Sequence, residues 1–382
     1  MKRWLKIVLP LGVILALYAA GAWYDHYCNT NPKDGARDVI DLSPDTHTAG
    51  YGGELPPDRY GIWPTTEFVT GTPESQGIRG RQLDFRLTLS PWKKTLDSFA
   101  VLRRGVLVYE YYSGDMTPDT PHYQASITKA FVSVLTGIAI KEGHIEGPDQ
   151  KVLDFFPEVQ IDDERKRGMT IEHLLTMTCG LEDTWYEDDD LAAWWNACAS
   201  PGEALDSGLA VLAQPMEADP GEVYRYSSAC YQLLGGVIAR ATGQNLFDYA
   251  RETLFVPLGI TTAQWECAAD GSPFAAGGLV LSTRDMLRFG YLLLNEGRWE
   301  DREIVPADWV VQSRAKNNKP NGVGRMIWND RWNPGLDCYE CRGAHDQFIC
   351  VYPSLDMVAV HTASDYRNWR PPVTLVRLWA KK

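Results

Sequence analysis

Positive charge is in short supply in this chain. Its 37 Lys and Arg stand against 50 Asp and Glu, leaving a formal net charge of -13 at pH 7. A face able to neutralise a run of phosphates is therefore missing, which excludes a nucleic acid as the main partner. Histidine is scarce too, at seven residues. Cys338-Tyr-Glu-Cys341 has the spacing of half a zinc site, but no second Cys/His pair stands at a matching distance, so no metal is expected there.

Uncharged apolar runs of membrane length are confined to residues 7–24, which follow Lys2, Arg3 and Lys6. Cations followed by an apolar run predict an export signal or a membrane anchor in residues 1–24, rather than a buried core helix. A signal would use residues 7–18 as its apolar core and Ala20, Gly21 and Ala22 as a small-residue cleavage site. An anchor would use the whole run, with Trp23 and Tyr24 at the outer interface and the cations in the cytoplasm. Both readings export the remainder to the periplasm or exterior, membrane-anchored in one case and secreted in the other. Asp25 and His26 stand where a lipidation motif at Cys28 would need apolar and small residues. All eight Cys lie beyond this segment, so disulfides are permitted and their pairing is open.

What the chain does have is the composition of a globular protein, 45% hydrophobic and 23% charged over 382 residues, enough for a sizeable core. Residues 25–77 are rich in Pro, Gly, Asp and Thr without a sustained period and read as a linker or wrapping segment. Residues 99–102 and 106–112 are β-rich runs around Gly105, and residues 347–352 and 357–361 flank a turn at 353–356, which predicts a hairpin at each end of the chain. Between them the pattern is mostly helical. Residues 130–140 are apolar nearly all round. Leu234, Val237, Ile238 and Ala241 share a helical face ending at Gly243, and Ser282-Thr-Arg-Asp285 reads as a capping box. A short helix is expected at 371–382. The fold class is α+β: an antiparallel sheet built from N- and C-terminal segments and flanked by helices, with a mostly helical subdomain inserted at about 143–275.

Ser-x-x-Lys occurs three times, at Ser90, Ser126 and Ser313. Ser90 precedes Pro91 and reads as a helix cap; Ser313 leads into a polar stretch read as a solvated loop. Ser126 alone stands at the mouth of an apolar helix directly after a hairpin. Positions i and i+3 lie roughly 5 to 6 Å apart at Cβ, so the Lys129 amine can reach the Ser126 hydroxyl. A buried, neutral Lys129 would accept the proton of Ser126, whereas an exposed one would leave Ser126 an ordinary cap. Tyr226-Ser-Ser228 follows after Pro220-Gly-Glu222, and a Tyr held at a helix start can carry protons between Ser, Lys and a leaving group.

With these residues, three further stretches complete an ordered set: TIEHLLTMTCGL at 170–181, AAGGLVLSTRDMLRFGYLLLNEGRW at 275–299 and IVPADWV at 304–310. Over residues 71 to 373 or so, the chain resembles the serine β-lactamase and penicillin-binding-protein superfamily. It is most similar to the class C branch and its relatives, the esterases and the 6-aminohexanoate-dimer hydrolase. The resemblance implies a β-lactamase/transpeptidase-like domain over 78–382, and a serine hydrolase that forms an acyl-enzyme without metal or organic cofactor. The catalytic residues are then Ser126, Lys129 and Tyr226, with backbone N–H groups of Ser126 and Ala344 as the oxyanion hole. Ser228 stands where the family often has Asn and would bond a substrate carbonyl; His345 would touch substrate or cap its strand. In the acidic, aromatic stretch 182–199, Trp185 and Tyr186 would belong to a lid over the substrate, and Trp194 and Trp195 to the lid or the core.

The family's Lys-Thr-Gly is absent from the chain, and by position its counterpart is residues 343–347. That Lys would hold the carboxylate of a β-lactam or peptide, so the departure favours a small amide or ester substrate. The alternatives are a β-lactamase or D-Ala-D-Ala carboxypeptidase acting on a peptide, and a catalytically silent protein of the cell envelope that binds one.

Overall fold

The computed structural model describes residues 61–81, 96–182, 207–268, 271–314, 324–329 and 338–364. Along the chain these form β1 (Val69–Thr70), β2 (Leu96–Arg103), β3 (Val106–Tyr112), β4 (His122–Tyr123) and helix α1 (Ile127–Lys141). Two short helices follow, α2 (Ile171–Leu175) and α3 (Ser207–Leu212), then the longer α4 (Ser228–Thr242). After β5 (Gln264–Trp265) and β6 (Leu279–Leu281) come α5 (Thr283–Leu294), β7 (Arg298–Trp299), β8 (Arg302–Glu303) and α6 (Ala307–Ser313). The last strands are β9 (Trp328–Asn329), β10 (Tyr339–Gly343), β11 (Gln347–Tyr352) and β12 (Met357–Ala363).

The main sheet runs β1-β3-β2-β12-β11-β10-β9, so the two expected hairpins join edge to edge along β2 and β12. Among the described residues every pairing in this sheet is antiparallel, as expected of its two hairpins, except that β1, from the segment read as linker or wrapping, lies parallel to β3. Successive strand side chains point to opposite faces. Thus Ala100, Leu102, Val358, Val360 and Ile349 enter the core shared with the helices, whereas Phe99, Val101, Met357, Ala359 and Cys350 enter a second cluster with Ile78. Both faces are covered, which is why these strands read as apolar runs rather than as a clean alternation.

Helix α1 is buried along almost its whole length, as its apolar sequence requires. Phe131 stacks on Phe289 of α5 with ring centroids 3.6 Å apart. A Cβ at Gly137 would stand 2.5 Å from the Trp309 ring, so glycine is what lets α6 come against α1. Ser282 caps α5 by accepting from the Asp285 N–H at 3.2 Å, and Gly243 ends α4 in the left-handed conformation at φ +69. Sequence patterning misses a second, three-stranded sheet, β4-β6-β5. Its strands are two or three residues long, too short to show a period. Residues 1–60 and 365–382, which include the expected N-terminal apolar segment and C-terminal helix, lie outside the described residues. Among the described residues, no helix is long and apolar enough to cross a membrane.

Candidate active site

The short strand β4 delivers the chain to Ser126. Ala125 takes φ +46, a conformation that side chains with a Cβ rarely adopt, and turns the backbone sharply into α1. The hydroxyl of Thr128 secures this turn, donating to the Ala125 carbonyl at 2.7 Å and accepting from the Leu279 N–H of β6 at 3.1 Å. Ser126 occupies the cap position of α1, yet its side chain caps nothing. Instead its Oγ accepts a hydrogen bond from Lys129 Nζ at 3.0 Å. The alternative of an ordinary helix start with a surface cation therefore fails on both residues, because Lys129 is only 1% exposed.

A second bond holds Lys129 in place: its Nζ donates to the Ala276 carbonyl at 2.5 Å. Ala276 lies in the AAGGL stretch, and α4 positions that stretch. The Gln232 side chain accepts from the Ala275 N–H at 2.9 Å and donates to the Pro273 carbonyl at 3.2 Å. Sequence reading selected this stretch as a motif without its purpose. Its small residues are the one signal available, since a Cβ on Gly235 of α4 would stand 2.6 Å from the Ala275 Cβ.

Tyr226 precedes α4, whose cap is Ser227, accepting from the Cys230 N–H at 3.1 Å. The Tyr226 ring lies 5.2 Å from Lys129 Nζ and 6.5 Å from the Trp328 ring. Burial pushes the phenol pKa up to about 12, against the opposing pull of a hydrogen bond with Ser126. Tyr226 is thus a protonated phenol at neutral pH, in contact with both Ser126 and Lys129. Ser228 opens α4, half-buried.

From the other side, β10 runs up to the 124–126 turn and ends against it. A Cβ at Gly343 would stand 2.3 Å from the Gln124 carbonyl oxygen and 3.2 Å from the Ala125 Cβ. Glycine alone allows this approach. Residues 344–346 form the turn between β10 and β11, with His345 at φ +61 and Asp346 at φ +60. The Gln347 side chain braces the turn by donating to the His345 carbonyl at 2.9 Å and to the Ala363 carbonyl at 2.5 Å. Neither the Ser126 N–H nor the Ala344 N–H donates to a group among the described residues. Both lie at the meeting of β10 with the 124–126 turn.

Residues 343–347, the expected counterpart of Lys-Thr-Gly, span the end of β10, this turn and the start of β11, and the strand leading into the turn carries Cys341-Arg342-Gly343. Cys341 is a buried thiol whose pKa burial pushes up to about 12. Arg342 pairs with Glu340 and lies over the Trp328 and Phe348 rings, 5.5 and 5.8 Å from their centroids. Of the other Ser-x-x-Lys matches, Ser313 is buried at the end of α6 with its hydroxyl on the Trp309 carbonyl at 2.7 Å, and the stretch it leads into, 315–323, lies outside the described residues. Ser90, Lys316, Trp185, Tyr186, Trp194 and Trp195 lie outside the described residues. Among those residues no group of three or more His, Cys, Asp or Glu has the geometry to hold a metal ion.

A family model described as Beta-lactamase matches residues 95–371. The chain belongs to the beta-lactamase family. Among relatives of this serine hydrolase is the 6-aminohexanoate-dimer hydrolase of Paenarthrobacter ureafaciens, 26% identical over 72% of this chain and 74% of that one. Esterase EstB of Burkholderia gladioli is 31% identical over 42% of this chain and 44% of its own. A penicillin-binding protein homologue of Caulobacter crescentus shares the fold at a TM-score of 0.62 and 18% identity, over 82% of this chain and 97% of that one. The family's β-lactamase-like α+β architecture is the one built here around Ser126.

Proposed function

We propose that this member of the family hydrolyses a small amide or ester through an acyl-enzyme on Ser126. The observation that carries the proposal is the bond from buried Lys129 Nζ to the Ser126 Oγ, at a helix start where that hydroxyl serves no cap. Removal of the amine from water disfavours its ammonium form, which suits Lys129 to take the serine proton as Oγ attacks the substrate carbonyl. The N–H groups of Ser126 and Ala344 receive the oxyanion, where one donor is worth roughly 3 to 4 kcal/mol of transition-state stabilisation. Tyr226, protonated at rest, gives its proton to the departing amine or alkoxide and is restored through Ser126 and Lys129. In the second half, water enters by the reverse route and releases the acid.

The substrate class follows from the strand beside the nucleophile. Cys341 presents a neutral buried thiol and Arg342 is already engaged by Glu340, so no lysine stands there to hold a substrate carboxylate. This supports an amide or ester over a β-lactam or a D-Ala-D-Ala peptide, and the hydrolase and esterase relatives support it too. Ser228 and His345 border the attacked carbonyl in this reading, one at the start of α4 and the other beside Ala344. Export, with the apolar run at 7–24 as anchor or cleaved signal, completes the proposal; cell fractionation and the mass of the mature N-terminus test it.

A fluorophosphonate probe tests the chemistry. Wild-type protein should be labelled on Ser126, and Ser126→Ala should not react. Equal labelling of the two would end the proposal.

A further inference from the structure

Behind Tyr226 the structure brings two cysteines together that the proposed chemistry does not use. We infer that Cys179 and Cys230 form a disulfide under oxidising conditions, tethering the turn after α2 to the first turn of α4. The two sulfurs are 2.8 Å apart, although the residues are 51 apart in sequence. Neither is in a disulfide in this structure. Bond formation at about 2.05 Å closes this gap by a sulfur movement of under 1 Å.

The surroundings hold the pair in register. The Arg225 N–H donates to the Met177 carbonyl at 3.1 Å, and the Ser227 N–H to the Met177 sulfur at 3.3 Å. These bonds already fasten the segment carrying Tyr226 to the 177–181 turn, and the disulfide would add a covalent link to the same join. Cys179 lines a cavity of about 20 Å³, together with Gly180, Leu181, Glu217 and Arg225, so a bulky oxidant reaches it when this segment opens locally. Cys230 is fully buried beneath it.

With a small-molecule disulfide such as oxidised glutathione, the reaction balances in two exchanges. The Cys179 thiolate attacks one glutathione sulfur, forming a mixed disulfide and releasing a glutathione thiolate. The Cys230 thiolate then attacks the Cys179 sulfur and releases the second. The two protons lost by the cysteines pass to the two glutathiones, which carry away the two electrons. In a reducing compartment the pair remains a dithiol.

The test oxidises purified full-length protein with glutathione disulfide, blocks remaining thiols in denaturant with N-ethylmaleimide and maps the peptides. Trypsin leaves Cys179 and Cys198 on one peptide, residues 168–225, so cleavage after acidic residues must separate them. The expected result is a Cys179–Cys230 peptide, present in wild type and in Cys198→Ser and absent from Cys179→Ser. The oxidised wild type should also melt roughly 5 °C above its reduced form, as closure of a loop this long implies. Recovery of Cys179 and Cys230 as blocked thiols, a link to Cys198 instead, or an unchanged melting temperature on oxidation would each overturn the inference. The mapping on wild type stands even if a serine variant fails to fold.

Discussion

Gly343→Ala is the sharpest perturbation available at the site, because it adds one methyl group at the contact between β10 and the turn that carries Ser126, the proposed nucleophile. The new Cβ would lie 2.3 Å from the Gln124 carbonyl oxygen, where real Cβ atoms essentially never come within 3.0 Å. That oxygen belongs to backbone held in the β4 and Ala125 turn, so it cannot swing aside as a side-chain tip would. The end of β10 must retreat by roughly 0.7 Å or more, carrying the Ala344 N–H with it. Misplacement on the order of 1 Å costs about 100-fold in rate, and the loss of one oxyanion donor costs about 100- to 1,000-fold. We therefore expect kcat on a p-nitrophenyl ester to fall about 100-fold, with KM changed far less. Overpacking should lower stability by about 1 to 3 kcal/mol, seen in the urea midpoint. Gly147→Ala, where an added Cβ meets nothing within 4 Å, is the control and should match wild type in both measurements. A folded Gly343→Ala protein with kcat within about twofold of wild type would refute the assignment of this contact to positioning the oxyanion donor.

Tyr226→Phe keeps the ring against Trp328 and deletes only the hydroxyl; kcat on an anilide should fall by about 100- to 10,000-fold at an unchanged melting temperature. The loss should be much smaller on a p-nitrophenyl ester, whose leaving group needs no proton, and equal losses on both would contradict proton donation by Tyr226. Gln232→Leu strips partners from the Ala275 N–H and the Pro273 carbonyl, so denaturant unfolding should show about 2 kcal/mol lost or more, with a lower kcat as the Ala276 carbonyl shifts. For acid stability, His361 decides the window. Burial, followed by the charge of His122, lowers its pKa to about 3, against the pull of Asp97. The folded state keeps His361 neutral while the unfolded chain binds a proton near pH 6.5, so its contribution is present above pH 6.5 and is lost as pH falls. About 2 kcal/mol should disappear between pH 6.5 and pH 5 in wild type and not in His361→Phe; equal slopes in the two proteins would show that His361 does not titrate on unfolding.

The legible parts of the fold were those with a strong local period or a cap: the two hairpins, the apolar α1, α4 with Gly243 behind it, and α5 with Ser282 in front. What stayed hidden was the three-stranded sheet, β9 and β10, whose strands are short or flanked by polar residues and acquire their form only from neighbours distant in sequence. At the site the same division holds. Ser126 and Lys129 are three apart on one helix, so their contact is written in the chain's own geometry. The Ala276 carbonyl that receives Lys129, the Trp328 ring against Tyr226 and the Gly343 approach to Gln124 each join residues more than a hundred positions apart. No spacing rule connects them.

The sequence by itself determined a globular α+β chain poor in positive charge, with a serine and a lysine one helical turn apart and a tyrosine a hundred residues on. Tertiary structure alone decided that Lys129 is buried, and that the turn after β10 stands beside Ser126. It alone brought Cys179 to Cys230. The physical reason is range: helical periodicity and capping act over a few residues, whereas burial, a shared carbonyl and a missing Cβ exist only once distant segments have packed together.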